Sequence, residues 1–322
     1  VVELAELTQR REPREREPGT PRRSPAPAGR RLARYREGAV TFGLLAPSVL
    51  LYTVMTVVPV GVAVYLSLTD WNGFSDAVFI GFENYLHLFD DPSSSRAWYV
   101  TAAIAVSGTV LMIGGGLVYA LLLKERSRTN SFFRTLAYYP HVISALILGF
   151  LWAAILGTNG AVNSTLQRFG IGPIGFLFEE QLALISLIGV IVWAGFGFNV
   201  VLFIAALQTV PAELLEAAAI DGATRHQTNM RVVIPMISPV ITVATVLNLI
   251  GLIKTYDLVV SLTGGGPAGA TQTYSFLILA RSFEGTKVGY ANAQAVFLMV
   301  VCAALALLVT AVRNRQDRAA TG

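Results

Sequence analysis

The sequence predicts an all-α membrane protein with six transmembrane helices, and three observations carry that expectation. Hydrophobic residues make up 54% of the 322 positions and charged residues only 14%, against about a quarter charged in soluble globular chains. Six windows free of Asp, Glu, Lys and Arg follow one another: 38–69, 97–123, 135–167, 182–212, 232–253 and 288–312. About 20 apolar residues cross a bilayer as a helix, in which every backbone amide is paired internally. The remaining Lys and Arg are unevenly divided among the connections, as in multi-pass proteins.

The first 37 residues stand apart. They hold ten arginines, with Glu and Pro and few apolar side chains, a composition that cannot bury enough surface to fold alone. Residues 1–37 are therefore expected to be a disordered cytoplasmic tail, either simply solvated or docked on lipid headgroups or a partner. No apolar stretch and small-residue cleavage site of a secretory signal is present there. A transmembrane domain over 38–313 and a short cytoplasmic tail over 314–322 complete the organisation.

Within the windows the expected spans are 42–67, 99–123, 134–156, 182–206, 236–259 and 289–312. A seventh charge-free window, 258–280, contains Thr263-Gly264-Gly265-Gly266-Pro267. Gly and Pro at that density break helices, so this window reads as an external loop. With the N-terminus inside, the inner side holds the tail arginines, Lys124, Arg126, Arg128, Arg134, Arg225, Arg231, Arg313, Arg315 and Arg318. The outer side holds Arg96, Arg168, Lys254, Arg281 and Lys287. Both termini are then cytoplasmic.

The connection between spans four and five departs from a simple linker. Pro211 suits a first helical turn, Glu213 and Glu216 favour the positive helix start, and Leu214, Leu215, Ala218 and Ala219 supply an apolar face. Gly222 can end that helix, and Thr224 can cap a second one running toward Ile234 and Pro235. The expected product is a compact helix–turn–helix at the membrane surface.

Here the chain resembles a family. Glu216-Ala217-Ala218, three residues, Gly222, nine residues, then Val232-Val233-Ile234-Pro235 is similar to the Glu-Ala-Ala loop of permeases of binding-protein-dependent ABC importers. Asp221-Gly222-Ala223 matches the Asp-Gly-Ala of the sugar branch, while Val232 and Ile234 depart conservatively from its Ile and Leu. Phe79-Ile80-Gly81-Phe82-Glu83-Asn84-Tyr85, Gly160-Ala161-Val162-Asn163 and Leu262-Thr263-Gly264-Gly265-Gly266-Pro267 resemble carbohydrate-uptake permeases of the maltose-F or glycerol-phosphate-A type. The resemblance implies the type I ABC importer permease fold. It also implies a cytoplasmic coupling helix in which Glu216, Ala217, Ala218, Asp221, Gly222 and Ala223 meet an ATPase subunit. Implied partners are a second homologous permease, two ATPase subunits and an extracytoplasmic sugar-binding protein, in a bacterial inner or plasma membrane. ATP and Mg would belong to the ATPases, since no Gly-x-x-x-x-Gly-Lys-Ser/Thr loop is present.

Polar side chains inside a membrane are costly and tend to face a cavity. Asn199 and Asn248 are candidates for contact with a sugar, or else an interhelical hydrogen bond. Lys254, Thr255, Tyr256 and Asp257 follow toward the outer end of span five, and Lys254 and Asp257 could instead pair on one helix face. Trp193 and Phe198 offer aromatic faces beside Asn199, or packing surface with Trp152. By alignment with the maltose-type permease, Gly195, Phe198, Leu252 and Thr255 fall at its sugar-contact places, although Leu252 is apolar where that permease has an amide. Tyr138 and Tyr139 before Pro140 read as part of a kinked helix, and the Gly114–Gly116 run as close helix packing.

Other classes fit less well. The three histidines, His87, His141 and His226, make no metal-protease or nucleophile–base constellation, and one cysteine, Cys302, makes no metal cluster or internal disulfide. No metal and no catalytic residue is expected. The basic excess lies mostly in the tail, so nucleic acid is not an expected partner. A secondary transporter would be expected to show internal repeats and coupling-ion carboxylates, and neither is evident. Glycerol phosphate or another small polar solute is the alternative substrate.

Overall fold

The computed structural model describes residues 43–125, 127–284 and 287–321. The expected disorder of residues 1–37 lies outside them. Six helical stretches among the described residues are long and apolar enough to cross a membrane: Gly43–Ser67, Pro92–Leu122, Ala145–Arg168, Glu180–Leu207, Arg225–Ile253 and Val288–Arg313. One isolated antiparallel bridge, Thr69 with Phe79, is the β structure among the described residues.

The chain forms two compact units, divided between Pro59 and Val60. In the first, residues 43–59 belong to the opening helix α1 (Gly43–Ser67). They include a π-helical stretch, Thr53–Val57, and none of them is buried. Leu44, Leu50 and Met55 are exposed apolar side chains, as expected of a helix whose solvent is lipid or another subunit.

The second unit contains the remaining helices. After the turn that follows α1 comes the short helix α2 (Glu83–Asp90), then α3 (Pro92–Leu122), whose start is capped by Asp91 accepting from the Ser93 N–H at 2.9 Å. The next segment is broken rather than continuous. α4 (Arg128–Val142) ends at an extended Ile143 and Ser144, and α5 (Ala145–Leu156) and α6 (Ala161–Arg168) follow. The single helix expected over 134–156 is therefore two helices. Pro140 lacks an amide hydrogen for the ladder, and its own carbonyl accepts the Ile143 N–H at 3.2 Å, which closes the last turn tightly. α7 (Glu180–Leu207) carries the fourth span, α8 (Ala212–Ile220) the surface helix, and α9 (Arg225–Thr228) leads through a π turn into α10 (Ile234–Ile253). α11 (Asp257–Leu262), α12 (Tyr274–Glu284) and α13 (Val288–Thr321) complete the order, the last helix continuing past the expected domain end at 313.

The core lies where α3, α7 and α10 meet. Ile104, Met112, Leu187, Ile191, Leu252 and Ile253 are buried together, and a second cluster joins Ala120, Val200, Phe203 and Ala244. α4 reaches this core through Gly197 on α7, where a Cβ would overlap the Ala137 carbonyl and lie 2.6 Å from Tyr138 Cα. Only glycine lets the two backbones approach so closely.

The 258–280 window is not a simple external loop. Val259, Leu262, Thr271, Thr273 and Tyr274 are buried, and α11 packs on α5. The glycine-rich turn is stitched by Thr263 and Thr271 hydroxyls 2.7 Å apart, Thr271 Oγ1 donating to the Gly266 carbonyl at 2.6 Å. The Tyr274 N–H donates to Thr101 Oγ1 on α3 at 2.8 Å. Hydroxyls satisfy the backbone groups that broken helices leave open, which is how irregular chain is tolerated inside a membrane protein.

Candidate functional site

Two regions gather the residues singled out by sequence: a cavity among the spans and the surface helix–turn–helix.

The cavity holds about 420 Å³ and is lined by Pro140 and His141 from α4, Ala145 and Leu148 from α5, Ile191, Ala194 and Gly195 from α7, Gly251 from α10, and Lys254 to Leu258. Its polar wall exists because α10 stops early. The fifth span was expected to run to 259, but the helix ends at Ile253, with Lys254 as its C-cap. The returning chain takes the last carbonyls: Ser275 Oγ donates to Ile253 O at 3.2 Å and Thr273 Oγ1 to Thr255 O at 2.9 Å. Lys254, Thr255 and Tyr256 therefore form a non-helical joint, and Asp257 begins α11. No ion pair joins Lys254 to Asp257 or to any other described residue, so the helix-face pair left open by the sequence does not form. A cation and a carboxylate border one cavity with their charges uncommitted.

Among the residues expected at a substrate site, Gly195, Lys254, Thr255 and Asp257 border this cavity; Trp193, Phe198, Asn199 and Asn248 do not. Asn199 is fully buried and paired with Asn248 in both directions, Asn248 Nδ2 to Asn199 Oδ1 at 2.7 Å and Asn199 Nδ2 to Asn248 Oδ1 at 3.2 Å. Trp193 packs edge-to-face on Trp152, with centroids 5.3 Å apart. Phe198 reaches the cavity only indirectly, as a ring 5.3 Å from that of His141. Leu252, the apolar residue at an aligned contact place, is buried in the core. The sequence reading passed over His141 as a cavity residue. The signal for His141 was present, a titratable side chain in an otherwise charge-free window.

A larger cavity, about 480 Å³, is lined by Asp70, Trp71, Asn84, His87, Asp90, Asp91, Arg281, Lys287 and Tyr290. None of the expected site residues borders it, and its walls come mostly from loops and short helices rather than spans, so the smaller cavity is the better candidate for a path through the membrane. Asp91 and Arg281 line it as a pair, 2.5 Å apart with both side chains 19% exposed. Burial pushes the Asp91 carboxyl up. Hydrogen bonds from Tyr290 and Arg281, the Arg281 charge and the Ser93 N–H outweigh it and hold the group below the usual carboxylate value.

The surface segment is built from backbone geometry. α8 ends in a complete Schellman motif: the Ala223 N–H donates to Ala218 O at 3.0 Å and the Gly222 N–H to Ala219 O at 3.1 Å. Gly222 holds φ +74° with open space around it, so a side chain there would meet strain rather than a clash. Pro211 occupies the cap position just before the helix. Thr224 then starts α9 with a reciprocal capping box to Gln227. Glu216, Ala217, Asp221 and Gly222 are exposed, Ala223 half-buried and Ala218 buried. Ile220, which the motif does not include, is 87% exposed beside Asp221. Arg225 lies 3.6 Å from Glu125 in the α3–α4 connection, and the Arg134 guanidinium binds the Leu123 and Glu125 carbonyls.

No group of three or more potential metal ligands occurs among the described residues, and Cys302 is buried.

Comparison with known proteins matches this architecture. The chain aligns with the probable starch degradation products transport system permease protein of Thermoanaerobacterium thermosulfurigenes at 30% identity, over 88% of this chain and 97% of the relative. It aligns with the diacetylchitobiose uptake system permease protein of Streptomyces coelicolor at 33% identity, over 90% and 88%. A solved bacterial ABC transporter for import of the acidic polysaccharide alginate contains a chain of the same fold, with TM-score 0.78, 23% identity and coverage of 89% and 99%. Residues 112–319 match the family model for the binding-protein-dependent transport system inner membrane component. The chain belongs to that family of multi-pass membrane permeases.

Proposed function

We propose that this chain is one of two related permease subunits of an ATP-driven importer of mono-, di- or oligosaccharides, forming half of the translocation path by alternating access. The observation that carries the reading is the span-lined cavity where Lys254 and Asp257 lie beside Thr255 and Tyr256 without ion-pair partners among the described residues. A sugar hydroxyl both donates and accepts, so an ammonium and a carboxylate can hold vicinal hydroxyls while their charges cancel. The carbohydrate names of the two permease relatives support the same substrate class. Lys254 alone would suit glycerol phosphate or another anion, but Asp257 on the same wall opposes it.

The partners follow from the two surfaces. ATPase subunits would dock on α8 and its turn, where Ile220 is the apolar anchor and Glu216 and Asp221 meet donors or cations. ATP and Mg would be bound there, by those subunits, and this chain would be non-catalytic. The Lys and Arg bias supports a cytoplasmic side for both termini and α8, and an extracytoplasmic binding protein would deliver sugar from the opposite side. Closure of the ATPase pair would move residues 216–223 as a rigid knob, opening the cavity outward, and hydrolysis would reset it.

The test is binding-protein-stimulated ATP hydrolysis by the reconstituted complex across a panel of sugars. Stimulation by one sugar identifies the substrate. An intact complex with basal activity that no sugar stimulates, but glycerol phosphate does, overturns the saccharide assignment.

A further inference from the structure

α2 has three distinct faces. Asn84 and Leu88 are buried against the protein, at 6% and 5% exposure. Glu83, His87 and Asp90 form a polar face, of which His87 and Asp90 border the 480 Å³ cavity. The third face is apolar and bare: Phe82, which caps the helix, Leu86 and Phe89 are 72%, 68% and 73% exposed. Their spacing of four and three residues places them in one stripe.

The level of this helix relative to the spans is set by its bonds. Asn84 Nδ2 donates to Ser67 O at 2.9 Å and Thr69 O at 2.7 Å, the carbonyls where α1 ends. Tyr85 Oη lies 2.7 Å from Ser67 Oγ. At the other end, Asp91 immediately follows α2 and caps α3. The helix is thus tied to the last turn of span one and the first turn of span two, at the boundary between hydrocarbon and water. Its bare stripe continues onto a span, because Phe89 meets Phe297 of α13 edge-on, with centroids 6.0 Å apart. Val300, one turn further along α13, is 55% exposed.

We propose that α2 is an interfacial helix, with Phe82, Leu86 and Phe89 seated in lipid at the headgroup–acyl boundary of the leaflet where span one ends. A helix with a wet polar face and a bare apolar face lies in the plane of that boundary. The stripe adjoins span six at Phe297 and leads to the exposed Val300, so one lipid surface would cover both. The tied ends hold α2 against the last turn of span one and the first turn of span two.

The test uses the transporter reconstituted with its partner subunits, with Cys302→Ala removing the one native cysteine and Leu86→Cys carrying a nitrobenzoxadiazole label. Glu83→Cys is the control, and Phe82→Cys repeats the reading if the first variant fails to assemble. In phosphatidylcholine–phosphatidylglycerol vesicles the Leu86 label should be quenched several-fold more by lipids brominated high on the acyl chain than by aqueous iodide. The Glu83 label should show the reverse order. Iodide reaching both labels equally would overturn the proposal, as would a Leu86 label that neither quencher reaches, which would mean a protein covers the stripe.

Discussion

Asn199 on α7 and Asn248 on α10 each donate a side-chain hydrogen bond to the other, at 3.2 and 2.7 Å. Asn248 Nδ2 also reaches Ala244 O at 2.8 Å and Asn199 Nδ2 reaches Gly195 O at 3.3 Å. The amides therefore join two spans of the core to each other. Interhelical bonds of this kind are worth about 0.6–2 kcal/mol. A double-mutant cycle of Asn199→Ala and Asn248→Ala on thermal stability should return a coupling energy of about 1 kcal/mol. Asn248→Ala should leave the sugar concentration for half-maximal uptake unchanged, and a large shift would place the pair in the substrate path after all.

Lys254 and Asp257 are the complementary case, two charges held at a cavity without a partner among the described residues. In the proposed sugar site, Lys254→Met and Asp257→Asn would each remove one charged hydrogen bond to a sugar hydroxyl, worth about 1.5–3 kcal/mol. Uptake should fall roughly tenfold or more for each, while basal ATP hydrolysis and the sugar affinity of the isolated binding protein stay unchanged. Wild-type uptake in both variants would remove these residues from the path.

Gly222 closes the α8 turn at φ +74°, with nothing near the place a Cβ would occupy. The cost of substitution is then backbone strain, about 1–2 kcal/mol for an L side chain in the left-handed region. Gly222→Val should lower sugar transported per ATP hydrolysed, with the thermal unfolding of the spans little changed. Gly222→Asn, which tolerates that region, should keep most of the coupling. Equal loss in both variants would point to side-chain bulk at the ATPase contact, not the turn, as the cause.

Much of this was legible in the sequence because its signals were local. Charge-free windows located the spans, and Gly222 and Thr224 announced a turn whose bonds are all within a few residues. The kink at Pro140 was legible, though not that it splits the segment into two helices; the early end of α10 was not, since it depends on the rest of the fold. Lys254 leaves the helix because Thr273 and Ser275, some twenty residues on, bind the carbonyls at its end. Burial of the Gly-rich turn was hidden for the same reason. In a chain whose solvent is lipid, apolar residues such as Val259 and Leu262 read alike whether they face protein or hydrocarbon, so periodicity does not separate packed segments from bare ones.

The Asp91–Arg281 pair supports a prediction about acid sensitivity. The two groups are 2.5 Å apart, and Tyr290 Oη donates to the same carboxylate at 3.0 Å. Folding lowers the Asp91 pKa below its ordinary 3.8, so the unfolded chain binds this proton more tightly than the folded one. The stabilisation is therefore full above the unfolded value and is lost as pH falls through the lower folded value. Asp91→Asn should cost about 2 kcal/mol at neutral pH, the scale of a charge-assisted hydrogen bond. The gap in thermal stability between wild type and variant should hold from neutral pH down to about pH 5 and then narrow toward about pH 3. A gap that stayed constant over that whole range would show that Asp91 acts through its shape and neutral hydrogen bonds rather than its charge.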